Sequence, residues 1–294
     1  MNRVYKEEKS NYLRTFFKEN HVGVVHSKFD HSLNIKLGKQ LVHVSDTLEP
    51  LSAFGIKAND EKIHSLLKAV EIGDFVSCQN QVLTFYNSLN KIALVIELET
   101  LAETDLKLVP FDAHPQLIEE TVFFKELMDI PVQMQTGLPM SAKTTKYLEN
   151  LRHYPTYALT ANEQSVIINH FLGRGIGLTP SGDDFLIGYT SLLILFNQQH
   201  EWLRRLQQLV RSGKTTDISL AYLNCLLEGG VNENIKELLD LFYSEDQQIL
   251  KKKNRTYAFI WTYFWNRHFI RHRHWNRSNE PYRKEQQGDL INDR

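Results

Sequence analysis

The chain has 294 residues, 42% of them apolar, and a formal charge of -1. That length holds one large domain or two ordinary ones with a real core, and the near-neutral balance singles out neither nucleic acid nor an acidic membrane as a partner. The N-terminal stretch MNRVYKEEKSNYLRTFFKEN lacks the apolar centre of a secretory signal, and the longest mostly apolar run, FLIGYTSLLILF from Phe185 to Phe196, is too short to cross a bilayer, so a soluble cytoplasmic protein is expected.

In chain order, a short leading helix is predicted first. Residues 21 to about 112 then read as strands. HVGVVHSKFDHSLNIKLGKQLVHVSD alternates β-branched and polar residues around FDHS and LGKQ turns, and GDFVSCQNQVLTFYNSLNKIALVIELE repeats the pattern around CQNQ and NSLN. One helix interrupts them at DEKIHSLLKAVEIG, where Ile63, Leu66, Leu67 and Val70 share a face. Pro110 and Pro115, in VPFDAHPQ, suit an extended linker and place a domain boundary near residue 112. Beyond it the period becomes helical, over Leu117–Met128, Ala142–Arg152, Asn162–Leu172, Asp183–Gln198, Trp202–Val210, Asp217–Leu227 and Asn234–Tyr243. The expected fold class is α+β: an antiparallel sheet or small barrel over 1–112, then a helical domain over 113–250. Cys78 and Cys225 have no paired spacing, which predicts buried free thiols.

The segment GRGIGLTPSGDDFLIG, from Gly173 to Gly188, concentrates glycine and charge. It follows a predicted helix, so the strand–turn–helix context of a dinucleotide fingerprint is missing, and no Lys completes a P-loop. Gly173, Gly175 and Gly177 can take positive φ and admit a ligand close to the backbone. Thr179 or Ser181 can cap the next helix, with Gly182 in its first turn and Asp183 and Asp184 at its positive end. Dipole compensation accounts for one such acid. Two beside three glycines, on a helix too apolar for a solvated face, call for a cation, a metal or a shared proton. Mg²⁺ on Asp183 and Asp184, with substrate oxygens completing its shell, is the metal that this pattern suggests, with loop and helix amides facing an anion. Simple capping remains the competing explanation.

GIGLTPSGDDFLIG resembles the signature of the AllH-like family, the small subunit associated with oxamate carbamoyltransferase in bacterial allantoin degradation, a branch of purine catabolism. KTTDISLAYLNCLLEGG, from Lys214 to Gly230, is also similar to that family. The resemblance covers about residues 20 to 250. It implies a subunit of a complex that moves a carbamoyl group between carbamoyl phosphate and oxamate, with other subunits and a small-molecule substrate as partners and neither nucleic acid nor membrane among them. In that setting Lys214, Thr215, Thr216 and Ser219 join the glycines, Thr179, Ser181 and Gly182 as substrate-binding candidates, against plain readings of surface lysine and N-cap. Asp183, Asp184 and Arg174 become the catalytic candidates, Arg174 as a bidentate clamp on carboxylate or phosphate. A non-catalytic assembly subunit is the alternative.

The last 44 residues, Lys251 to Arg294, hold eleven Lys/Arg against four Asp/Glu and three of the four tryptophans. Family members end instead in a Gly-His-Thr/Ser-Ser-Gly segment. A change of reading frame near Lys253 is the favoured origin of this tail: Asn254–Ala258 can be encoded so that a one-base shift reads Ile-Gly-His-Thr, which would make this an inactive copy. A solvated basic extension and a nucleic-acid arm are the other readings.

Overall fold

In the computed structural model the described residues are 6–110, 137–153, 159–195, 197 and 200–240. The predicted helix at Leu117–Met128, the end of the last predicted helix and the basic tail lie outside them. The architecture is α+β, as expected: a nine-stranded sheet followed by helices.

The sheet runs in the order β8-β7-β6-β2-β3-β4-β5-β1-β9. Its strands are β1 (Glu8–Ser10), β2 (His21–Lys28), β3 (Ser32–Leu37), β4 (Gln40–Ser45), β5 (Gly55–Lys57), β6 (Phe75–Gln79), β7 (Val82–Tyr86), β8 (Ile92–Glu97) and β9 (Ala102–Thr104). Pairing is antiparallel except for β4 with β5 and β1 with β9. The hairpin turns fall where the sequence placed them. Between β6 and β7, Asn80 and Gln81 both take positive φ, the geometry whose twist matches that of the flanking strands.

The leading helix is a correction. Glu8–Ser10 is a strand, and two single 3-10 turns, Asn11–Leu13 and Phe16–Lys18, replace the helix. Leu13 and Phe17 each bury one side chain in the sheet core, so the segment needs just two inward positions rather than a continuous helical stripe. Helix α1 (Asp60–Ala69) forms where the apolar spacing predicts. Asn59 caps it by accepting from the amides of Glu61 and Lys62, and Ile63 and Leu66 are buried.

The later helices are α2 (Ala142–His153), α3 (Ala161–Phe171), α4 (Ser181–Leu195), α5 (His200–Val210), α6 (Asp217–Leu227) and α7 (Glu233–Asp240). Helix α4 is apolar almost all round because it runs through the middle of the helical core. Trp202 of α5 donates its indole N–H to Thr190 Oγ1 at 3.0 Å within that core.

Helix α6 is the wall shared by the two cores. Ile218, Ala221 and Cys225, at three- and four-residue spacing, pack into the sheet cluster, while Leu223 and Leu226 on the other side pack into the helical one. Backbone bonds reinforce the junction: Leu108 N donates to Gly229 O at 2.8 Å, and Val231 N to Leu106 O at 3.1 Å. Lys57, buried on β5, is held by Glu8 at 2.6 Å and Glu233 at 3.0 Å. Both cysteines are free and buried, as expected, and burial pushes the Cys225 thiol up to about 12. Among the described residues no helix is long and apolar enough to cross a membrane.

Candidate functional site

Three stretches converge at the start of α4: the loop after α3, the first turn of α4, and the segment leading into α6. Asp183 joins them. Its side chain is 0% exposed. Oδ1 accepts from Gly173 N at 2.7 Å, and Oδ2 accepts from the Thr215 hydroxyl. A buried carboxylate is tolerated when donors surround it, and here the donors are groups of this chain.

Two glycines of the segment, one in the loop and one in the first turn of α4, are required by contact. A Cβ at Gly173, which also takes φ +71, would lie 2.2 Å from Lys214 O, and one at Gly182 would lie 2.1 Å from Phe171 O. The signature therefore encodes close backbone crossings as much as ligand access.

Several candidates occupy places other than those expected. Three amides of the first turn of α4 are engaged within the chain: Gly182 N donates to Arg174 O at 2.7 Å, and Asp183 N and Asp184 N donate to Pro180 O at 2.8 and 3.2 Å. Arg174 is no free clamp, because its Nε and Nη2 both donate to Pro139 O, at 3.2 and 3.1 Å, which ties in the chain ahead of α2. Lys214 donates to Asn169 Oδ1 at 2.5 Å. Thr216 caps α6, accepting from Ser219 N at 3.1 Å while its hydroxyl donates to Leu178 O. Ser181 is half-buried as the first residue of α4, and Thr179 is exposed. Gly175 and Gly177 take positive φ beside a loop tip where Ile176 is 91% exposed. Among the described residues, the amides of 175–179 donate to nothing.

What this internal bonding leaves open is one patch beside α6. Asp184 has no side-chain hydrogen bond among the described residues. Desolvation first, and the Asp183 charge second, push its carboxyl up from 3.8 to about 7. Ser219, 1% exposed in the first turn of α6, has a hydroxyl with no partner among the described residues. One turn further on, the Tyr222 hydroxyl meets Ser52 Oγ at 3.5 Å and Asn232. Burial raises the Tyr222 phenol, with Asp184 contributing in the same direction.

The sheet supplies neighbours that sequence reading missed. The Phe54 ring meets Tyr222 edge-on, centroids 4.6 Å apart, and His43 on its other flank at 6.5 Å. His43 Nδ1 lies 2.9 Å from Asn34 Oδ1, and Asn34 Nδ2 donates to Ser27 Oγ at 2.9 Å. His26 continues the chain, with Nδ1 3.2 Å from Ser27 Oγ and Nε2 3.7 Å from Asp217 Oδ2, which also receives Lys36 Nζ at 2.6 Å. Burial lowers His43 to about 4, so its imidazole is neutral. The one signal in the sequence was that His43 and Asn34 sit at polar positions of adjoining strands, which any solvated strand face also shows. His170, near the end of α3, joins α2 to α3 through Thr144 Oγ1 at 3.0 Å.

Among the described residues no group of three or more His, Cys, Asp or Glu is placed to hold a metal ion. Comparison with known families finds one match: the family described as oxamate carbamoyltransferase subunit AllH, over residues 171–258. It begins at the last residue of α3 and supports an AllH-like assignment. No curated protein and no solved structure matches the chain.

Proposed function

From an AllH-like chain with one open, desolvated carboxyl beside its signature loop, we propose a subunit of a carbamoyltransferase complex that binds a small phosphorylated or carboxylated substrate. The observation that carries this reading is Asp184. It belongs to the segment matched by the family, has no side-chain hydrogen bond among the described residues, and has a carboxyl poised near pH 7, where proton transfer in either direction is easiest.

In carbamoyl transfer the acceptor nitrogen attacks the carbamoyl carbon, the carbon–oxygen bond to phosphate breaks, and the nitrogen gives up a proton. Asp184 in its ionised form is the group suited to take that proton. The unengaged amides of 175–179 are suited to the anionic end of the substrate. Asp183, Thr215, Gly173 and Gly182 hold these two elements in place.

No resident metal enters this reading. Asp183 is satisfied by two donors of the chain itself and does not call for a cation. Mg²⁺ arriving with a substrate phosphate is compatible with the site, because that ion keeps most of its shell as water and phosphate oxygen.

The test is calorimetric titration of the purified chain with carbamoyl phosphate and with oxamate. Binding of one or both, lost in Asp184→Ala with the melting transition retained, is the expected result. Absence of binding to both overturns the proposal. Transfer activity with the partner subunits present then separates a catalytic from an assembly role. A second reading, an inactive copy, is favoured by one observation: the family match stops at residue 258, just inside the basic tail. Sequencing the gene around codon 253 decides it.

A further inference from the structure

The two ends of the sheet are protected unequally. β9, Ala102–Thr104, is three residues long and its Glu103 is paired with Arg14, whereas β8, Ile92–Glu97, is six residues long, mostly apolar and free of proline. A long apolar edge is a template for another strand unless something blunts it. The ladder shows which groups of β8 are free. Leu98 N donates to Gln81 O at 2.9 Å, and the register sets Ile96 against Leu83 and Leu94 against Phe85. Bonded pairs alternate in an antiparallel ladder, so Val95 and Glu97 turn their N–H and C=O groups away from β7. Beyond the register shift, Asn87 N donates to Lys91 O at 2.9 Å, which turns Ile92 outward as well. Of these outward groups, the Glu97 carbonyl alone finds a partner among the described residues, the Thr100 hydroxyl at 2.7 Å.

A cleft of about 230 Å³ opens along that free side. Val95, Glu97, Thr100 and Leu101 line one bank, and Glu7 and Lys62 the other. Lys62 reaches Glu7 at 3.5 Å, so two acids share one base there and a negative charge is left over. The opposite end of β8 carries the complement. In the turn that precedes the strand, Leu89 is 71% exposed, and Lys91 has no acid beside it among the described residues. Ile92 and Val95, which project between the two ends, are 62% and 43% exposed.

We infer that β8 pairs antiparallel with β8 of a second copy of this chain about a two-fold axis. The outward residues then meet one another. Ile92 of one protomer lies opposite Val95 of its partner, and the reverse, with main chain bonded to main chain and the apolar side chains side by side. The same register carries Leu89 and Lys91 of each protomer to the cleft of the other, where Leu89 displaces water and Lys91 supplies the missing positive charge. The contact is isologous, so it closes at two copies. A strand of another protein would have to reproduce both the apolar pair and the lysine at its end, whereas a second copy has them by construction. Pairing through β8 is independent of the role of the Asp184 loop, which lies on the helical half of the chain.

Sedimentation velocity of the full-length chain over a range of concentrations tests this, and a monomer–dimer equilibrium is the expected result. Lys91→Glu and Glu97→Lys should each weaken the dimer about tenfold, since the two-fold axis repeats every like-charge contact. The combined Lys91→Glu/Glu97→Lys exchange should restore it, because the attraction is then re-formed with the signs reversed. Val95→Pro removes an N–H that points away from β7, and should abolish the dimer with the circular dichroism spectrum retained. Should that variant fail to fold, the charge exchange carries the comparison, because both of its side chains are exposed. A chain that stays monomeric at every concentration overturns the inference. So does a dimer indifferent to the single reversals and to Val95→Pro, or an exchange that associates no better than either reversal alone.

Discussion

Replacing Asp184 with Asn should make the protein more stable, by an amount that depends on pH in a defined way. The folded state holds the carboxyl near 7, against 3.8 for an ordinary aspartate. The folded chain therefore keeps a proton that the unfolded chain releases, and stability declines as pH rises through that interval. At about 1.4 kcal/mol per pH unit the full cost is about 4 kcal/mol, reached above pH 7 and absent below about pH 4. Urea unfolding followed by far-UV circular dichroism at pH 4, 6 and 8 measures it. The variant and the parent should match at pH 4 and diverge by about 4 kcal/mol at pH 8. Most substitutions destabilise, so the sign alone is informative, and a gain in stability at a binding residue is the usual mark of a site maintained for function. A variant less stable at pH 8, or a difference that does not change with pH, refutes the reasoning.

Asp183→Asn should do the opposite. Its amide cannot accept both the Gly173 N–H and the Thr215 hydroxyl, and loss of a charge-assisted bond in a buried place costs about 2 to 4 kcal/mol, visible as a fall in melting temperature. Gly182→Ala puts a methyl 2.1 Å from Phe171 O, and an overpacking cost of about 3 kcal/mol or more should appear in the urea midpoint. His43 contributes on the acid side. Its folded pKa, near 4, lies below the ordinary 6.5, so stability of about 3 kcal/mol should be lost as pH falls through that range. His43→Gln should flatten this part of the pH profile in the same unfolding assay.

The fold was largely legible because its signals are local. The Asn80-Gln81 turn and the three-to-four spacing of Ile63 and Leu66 each follow from backbone geometry within a few residues. The leading segment was not, since Leu13 and Phe17 are four apart and mimic a helical face, while long-range pairing of Glu8 and Lys9 with Lys57 and Ile56 makes a strand. At the candidate site, sequence singled out the loop and the pair of acids but not how differently the chain holds the two. That difference depends on Thr215, which reaches Asp183 from 32 residues away, and on the backbone of Lys214, which crosses Gly173. His43 and Asn34 lie farther still from the motif, on strands whose alternation shows which residues share a face but not what that face meets.

The central claim is that the two adjacent aspartates are chemically unlike: one is engaged by the protein, the other is open and near-neutral. Selective ¹³C labelling of aspartate carboxyls, with the Asp184 signal assigned by its loss in Asp184→Asn, tests it most directly. A midpoint near 7 that moves when carbamoyl phosphate is added is the expected result. Titration near 4, unmoved by that compound, contradicts the account.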